Sequence, residues 1–313
     1  MQQQILQVLS YFDMFSYPLL AAEIREYMPL PVSKQVLQQE LDDMQQQELV
    51  YKLDDFYAVQ DDIFMATRRN NGNRCAAAEL KKAAKAARVL YRFPFVNGLA
   101  ISGSLSKNYA DENSDIDFFI ITAPNRLWIA RTLMHIFYKW AVFTGRSRMF
   151  CMNYYVDETA LHIPEENIFT AMEIVTLLPA AGLDCIENFT NANNWVKDYF
   201  PAAAAKTPIL SKTKKGWIRV LAEKILSGNL GNLLDNWLLR LTRKHWRQKK
   251  QQQKKNTKGI CTGMLADKHF AKPNPVNFQQ KILVSYDQKL QQLNRKVHHS
   301  IVSPTSSFSF AVK

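Results

Sequence analysis

The stretch VNGLAISGSLSKNYADENSDIDFFIIT, from Val96 to Thr122, decides how this chain is read. Val96, Leu99, Ala100 and Ile101 predict a short buried strand ending at Ser102-Gly103-Ser104. A turn with a possible short helix follows. A second strand is then expected to open on Asp115-Ile116-Asp117 and to run into Phe118-Phe119-Ile120-Ile121. Strand side chains alternate, so Asp115 and Asp117 should share a face while Ile116 enters the core. Two carboxylates crowded at the start of a buried strand ionise together cheaply only beside a cation. Mg²⁺ suits them, because it takes oxygen ligands and shares them with phosphates. Gly103 admits a close backbone approach. Ser104 and the N–H groups of a following helix start could donate to phosphate oxygens. The alternative is a surface turn, NYADENSD, whose acids only face water.

An apolar strand, Gly-Ser, a spacer and Asp-x-Asp leading a second apolar strand form a recognisable order. At Gly103, Ser104, Asp115 and Asp117 the chain resembles the polymerase-beta-like nucleotidyltransferase superfamily, its minimal bacterial members above all. The resemblance implies metal binding by Asp115 and Asp117, and nucleotide binding by Ser102, Gly103 and Ser104. It also implies Mg²⁺ or Mn²⁺ as cofactor and an NTP as substrate. The family carries a third carboxylate on a later strand. Here Arg126 to Thr144 has helical periodicity, and Arg148 to Val156 reads as the third strand, with Asn153 at the expected position. An Asn ligates a hard cation through its carbonyl oxygen but carries no charge and accepts no proton as a base. Asp157, Glu158 and Glu173 are the other acids to which the role could have moved.

The whole chain has 313 residues, 47% of them hydrophobic and 22% charged, enough for two or three domains with real cores. No apolar run is long enough to predict a membrane span. The N-terminal MQQQILQVLS lacks the basic and apolar segments of a signal peptide. Four scattered cysteines, Cys75, Cys151, Cys185 and Cys261, make neither a disulfide framework nor a zinc site, and a reducing cytoplasm is the expected setting. The net charge of +12 is uneven. Residues 1–66 carry −8, 67–160 carry +7, 161–205 carry −5 and 206–313 carry +18.

Residues 1–62 read as a winged-helix-like module. A first helix carries Ile5, Leu6, Val8, Leu9 and Phe12, a second opens at Pro18, and Ser33 caps a third. A hairpin follows around Asp54-Asp55. Such a module often reads DNA, but its third helix carries Glu40, Asp42, Asp43 and Glu48, and its wing tip is acidic too. A surface that must neutralise phosphates cannot be acidic at both contact elements. Protein contact or substrate positioning fits better.

An Ala-rich basic helix in residues 63–92 links this module to the core, and Arg68, Arg69 and Arg74, expected just before it, could reach a ligand. In the core helix, Arg131, His135 and Lys139 form a wetted face, or else Arg126 or Arg131 makes a phosphate contact. Trp128, Phe137, Tyr138 and Trp140 are expected in the core. Another helix should run from Pro164 to Pro179, and PAAAAKTP at 201–208 should be a linker. Residues 209–300 read as helical. The run from Arg240 to Lys258 is a solvated helix end or a disordered segment able to touch nucleic acid or a membrane surface.

The expected fold is therefore α+β: a nucleotidyltransferase-fold mixed sheet in 63–205, flanked by the winged-helix-like domain (1–62) and a basic helical region (206–300), with a loose tail (301–313). The expected function is Mg-dependent transfer of NMP from an NTP to a small-molecule, protein or RNA acceptor. One alternative is a non-catalytic, regulatory nucleotide-binding protein, and a weaker one is a winged-helix DNA-binding regulator.

Overall fold

Phe118 to Ile121, all buried, lie in the middle of a six-stranded mixed sheet in a computed structural model that describes residues 1–210, 216–251, 262–275 and 278–302. In chain order the first elements are α1 (Gln2–Asp13), β1 (Leu19–Leu20), α2 (Ala21–Glu26), α3 (Lys34–Gln46), β2 (Tyr51–Leu53), β3 (Phe56–Ala58) and α4 (Ile63–Leu90). Then come β4 (Val96–Ser102), α5 (Gly103–Ser106), β5 (Asp117–Thr122), α6 (Leu127–Phe143), a 3-10 turn (Ser147–Phe150) and β6 (Cys151–Asp157). α7 (Ile168–Val175), β7 (Leu178–Ala181), α8 (Leu183–Ala192), α9 (Val196–Tyr199) and α10 (Trp217–Leu226) follow. The last are α11 (Asn229–Gln251), β8 (Thr262–Ala266), β9 (Phe270–Pro275) and α12 (Phe278–Val302).

The chain divides into two compact units, one of residues 1–70, 197–204 and 279–313, the other of residues 71–196 and 205–278. Neither follows the sequence boundaries, because α12 joins the first unit and residues 205–278 join the second. In the first unit, α1 to α3 enclose a three-stranded sheet of order β1-β3-β2. The Ser33 hydroxyl caps α3 by accepting from Val36 N at 3.2 Å, as its position before the apolar stripe implies. Pro18 does not open α2. Leu19 and Leu20 extend and pair with β3 first, since Leu19 is a fully buried partner of Tyr57. α12 packs Tyr286 edge-on to Tyr11, 5.9 Å between centroids, and pairs Lys289 with the buried Asp13.

In the second unit the sheet order is β7-β4-β5-β6-β9-β8, with β5 and β6 parallel and the other pairs antiparallel. One face buries Leu99, Ile101, Phe118, Ile120 and Tyr155 with residues of α4, α6 and α11. The other buries Ala100, Phe119, Ile121 and Val156 with Ile186 and Phe189 of α8. Each such aliphatic or aromatic side chain contributes about 1.5–3 kcal/mol on burial.

Three expectations need correction. The third strand begins at Cys151, because residues 147–150 form a 3-10 turn. Pro179 ends no helix and lies in β7, an edge strand, where its missing N–H is tolerated. Residues 209–300 are not wholly helical: β8 and β9 form a hairpin that extends the sheet beside β6. Residues 252–258 of the basic run, Cys261 and the tail beyond 302 lie outside the described residues.

Candidate functional site

β4 and β5 run antiparallel, and their register sets Ser102 opposite Asp117. The chain leaves β4 through Gly103, whose φ of +69° is costly for any residue with a Cβ. A Cβ there would also stand 2.6 Å from Asp117 Oδ2, so the carboxylate lies directly over the glycine backbone. α5 is one turn, and Ser104 in it is exposed. Ile116 is 2% exposed and packs with Phe118 and Ile120, while Asp115 and Asp117 on either side of it are half-buried. The strand does not open on Asp115 as expected: β5 begins at Asp117, so Asp115 and Ile116 lie in the segment just before it.

The spacer between the two halves of the motif is tied down. Tyr109 N donates to Ser104 O at 3.1 Å, and Ala110 N to Gly72 O of α4 at 3.2 Å. Gly72 is needed there, because a Cβ would stand 2.2 Å from the Tyr109 ring. Arg148 holds the far side of the loop, donating from Nη1 to Glu112 O at 2.6 Å, while its own carbonyl accepts from Ile116 N at 2.8 Å.

Asn153 stands at a β-bulge. β5 pairs Phe118 with Met152 but Phe119 with Tyr154, so Asn153 is the extra residue. The bulge overturns simple alternation along this strand: Met152 and Tyr155 pack on the face covered by α4, α6 and α11, and Tyr154 and Val156 on the face covered by α8. Asp157 and Glu158 do not lie near Asp117. Asp157 pairs with Thr122, five residues along β5 from Asp117, or roughly 17 Å at the usual strand rise. Glu173 of α7 forms an ion pair with Lys107 at 2.8 Å. Among the described residues no group of three His, Cys, Asp or Glu side chains is arranged to hold a metal. Asp115 and Asp117 beside the glycine turn are an all-oxygen pair, a donor set that suits one hard cation, and the Asn153 carbonyl is a neutral third oxygen on the neighbouring strand.

Two cations near this motif were not singled out in the sequence. Lys107 Nζ donates to Gly103 O at 3.3 Å as well as to Glu173. Lys272 of β9 lies 5.2 Å from the centroid of the Tyr154 ring, and Tyr154 meets Phe119 edge-on at 5.6 Å. Burial lowers the Lys272 pKa, while Glu165 and Glu173 act to raise it. Lys107 could have been noticed, since it follows Gly103 by four residues. No local pattern marks Lys272, which only the hairpin brings beside β6.

The arginines offered as phosphate contacts serve the fold instead. Arg126 is 5% exposed and donates to Leu226 O at 2.7 Å, Ser227 O and Gly228 O at 3.1 Å, fastening the turn between α10 and α11. Arg131 lies 4.6 Å from the Trp246 ring centroid, and burial lowers its pKa. Arg69 is 1% exposed inside α4, bonded to Glu23 at 2.6 Å and to Pro18 O. Arg68 donates to Phe15 O at 3.0 Å, and Arg74 lies within α4 bonded to Asn71. Of the four aromatics expected in the core, Trp140 is 52% exposed.

The opposite end of the sheet is also polar. Asp157, fully buried, accepts from Thr159 N at 2.9 Å and Asn125 N at 3.2 Å and sits 2.9 Å from His269 Nδ1. Asp235 of α11 accepts from Trp128 N and Ile129 N at 2.8 and 3.0 Å, capping α6. Burial pushes its pKa up to about 6, against the opposing pull of those two N–H groups and Arg126. It lines a cavity of about 250 Å³ with Asn125, Asn232, Asn236 and Lys268.

No protein-family model matches the chain, and no match was found among curated proteins or solved structures.

Proposed function

We propose that the second unit is a nucleotidyltransferase-like core that binds an NTP with Mg²⁺ and transfers its NMP to an acceptor. The observation that carries this reading is the Asp117 carboxylate lying over Gly103 at φ +69°, with Asp115 two residues before it. Asp115 and Asp117 would hold the metal, which when bound supplies charge neutralisation at the phosphate oxygens. The exposed Ser104 hydroxyl would donate to a phosphate oxygen, and Ser102 opposite Asp117 would border the nucleotide. Lys107 and Lys272 would offset the remaining triphosphate charge.

A second reading, nucleotide binding without transfer, is favoured by Asn153. It cannot take the proton of an attacking hydroxyl, and Asp157 and Glu158 are far along the strand. Full-length protein incubated with each labelled NTP and Mg²⁺ or Mn²⁺, alone and with cell extract, separates the two. Labelled product that requires the metal supports transfer. Metal-dependent binding with no product across small-molecule, protein and RNA acceptors supports the second reading, and no binding of any NTP contradicts both.

Within this proposal the first unit's helices and hairpin serve as a winged-helix-like module for protein contact or acceptor positioning. The −8 balance of residues 1–66 supports that use over DNA reading.

A further inference from the structure

α10 and α11 turn their apolar sides outward. α10 is anchored through its charged residues: Arg219, 1% exposed, donates to Tyr91 O at 2.7 Å, to Asn97 Oδ1 at 2.9 Å and to Glu223 at 2.7 Å. Glu223 also accepts from Phe95 N at 2.7 Å. What remains in water is Trp217, Ile218, Val220, Leu221 and Ile225, each at least 51% exposed. A helix that buries its ion pair and exposes its aliphatic residues inverts the usual amphipathic arrangement of a surface helix.

α11 continues the pattern. Leu234, Leu238, Leu239 and Trp246 face the core. Leu230, Leu233, Trp237 and Leu241, at helical spacing on the other side, are 46–72% exposed. Further along, that outer side becomes cationic, with Arg240, Lys244 and Arg247 exposed beside a groove of about 350 Å³ that Arg243 and Gln248 also line. The two helices are joined by Ser227-Gly228, and Arg126 grips that turn. Both acids of residues 216–251 are consumed internally: Glu223 bonds Arg219, and Asp235 is 2% exposed. Of the eight Lys and Arg in the same range, Arg219 pairs with Glu223 and Arg243 with Asp267 at 3.3 Å, and Arg240, Lys244 and Arg247 are exposed.

We infer that the α10–α11 pair is a peripheral docking surface for an anionic lipid bilayer. Exposed Leu, Ile, Val and Trp next to the exposed Arg240, Lys244 and Arg247 are what an interfacial helix needs: apolar side chains enter the headgroup boundary while cations remain at the anionic surface. A nucleic acid would use the cations but give the aliphatic residues nothing to bury against. A second copy would bring up the same exposed cations against these. No helix among the described residues is long and apolar enough to cross a membrane, so the contact would be to the surface.

The test is flotation of the full chain with vesicles of phosphatidylcholine alone or mixed with phosphatidylglycerol, followed by intrinsic tryptophan emission. The protein should float with the anionic vesicles only, its emission should shift to the blue, and added salt should weaken binding. Leu221→Asp with Leu233→Asp, both exposed positions, should leave the melting temperature unchanged and weaken binding by about tenfold or more. Lys244→Glu with Arg247→Glu should weaken it comparably through charge. Vesicle binding indifferent to the two Asp substitutions, or equal on neutral vesicles, overturns the inference. So does a stable dimer in light scattering that the Asp variant converts to monomer without any vesicle binding.

Discussion

The two ends of the central sheet treat their charges differently. At the end where β5 finishes at Thr122, Asp157, Asp235 and Arg126 are each at most 5% exposed, and each is held by two or more hydrogen bonds. Asp235 is spent on capping α6, Arg126 on fastening the α10–α11 turn, and Asp157 on Asn125, Thr159 and His269. At the other end Asp115 and Asp117 stand half-buried around a glycine whose missing Cβ leaves the room. Buried charges with full hydrogen bonding stabilise a fold but have little left for a ligand. Half-buried carboxylates gathered at a turn are costly to the apo protein and useful to a cation. Similar residue types are thus structural at one end and, on our reading, functional at the other.

The comparison can be broken most forcefully at the structural end. Arg126→Ala should cost about 2–4 kcal/mol of stability, because four backbone carbonyls lose a charged donor. Denaturant melts measure this, and nucleotide affinity of the folded fraction should stay as in the wild type. At the site end, Gly103→Ala meets both the positive φ and the overlap with Asp117. It should cost about 1–2 kcal/mol and, unlike Arg126→Ala, abolish metal-dependent nucleotide binding.

Asn153→Asp should have a smaller effect. A third acid at the bulge should lower apo stability by about 1 kcal/mol, and the mutant should show the larger rise in melting temperature across a Mg²⁺ series, since the ion binds only the folded state. Equal rises would remove Asn153 from the site. The last expected change depends on pH and concerns Asp235. Its folded pKa of about 6 lies above the ordinary value of 3.8, so the native state holds its proton more tightly. This group's contribution to stability therefore increases as pH falls from about 7 to 4 and decreases as pH rises through 6. The melting-temperature difference between wild type and Asp235→Asn should move in favour of wild type over that descent, and a difference independent of pH would contradict the account.

Much of the core could be read from local pattern. The strands around Val96–Ser102 and Phe118–Ile121 announce themselves by apolar runs bounded by Gly-Ser and Asp-x-Asp, and α6 by its periodicity. Elements whose reason is tertiary could not be read. Leu178-Pro-Ala-Ala is too short and too rich in Pro to look like a strand, and it becomes one only because β4 offers an edge. β8 and β9 follow a long basic run and end in prolines, which hides their pairing with β6. At the proposed site, the closeness of Gly103 and Asp117 follows from the antiparallel pairing of two strands that the local pattern announces. The bulge at Asn153 was not, because it is a property of the pairing and not of either strand. The arginines misled for a related reason: a buried Arg bonded to backbone carbonyls has no sequence signature that separates it from one awaiting a phosphate.

On the proposed function, Asp115 and Asp117 form a metal–nucleotide site. The most direct measurement is titration calorimetry of Mg²⁺ complexes of ATP, GTP, CTP and UTP into wild type, Asp115→Asn and Asp117→Asn, with apo melting temperatures taken in parallel. Wild type should bind at least one nucleotide only when the metal is present. Each substitution should weaken that binding by at least about tenfold, since a charged ligand to the cation is lost, while the apo melting temperature holds or rises as carboxylate crowding is relieved. Mutants that bind the nucleotide as wild type does, or that unfold, would contradict the assignment.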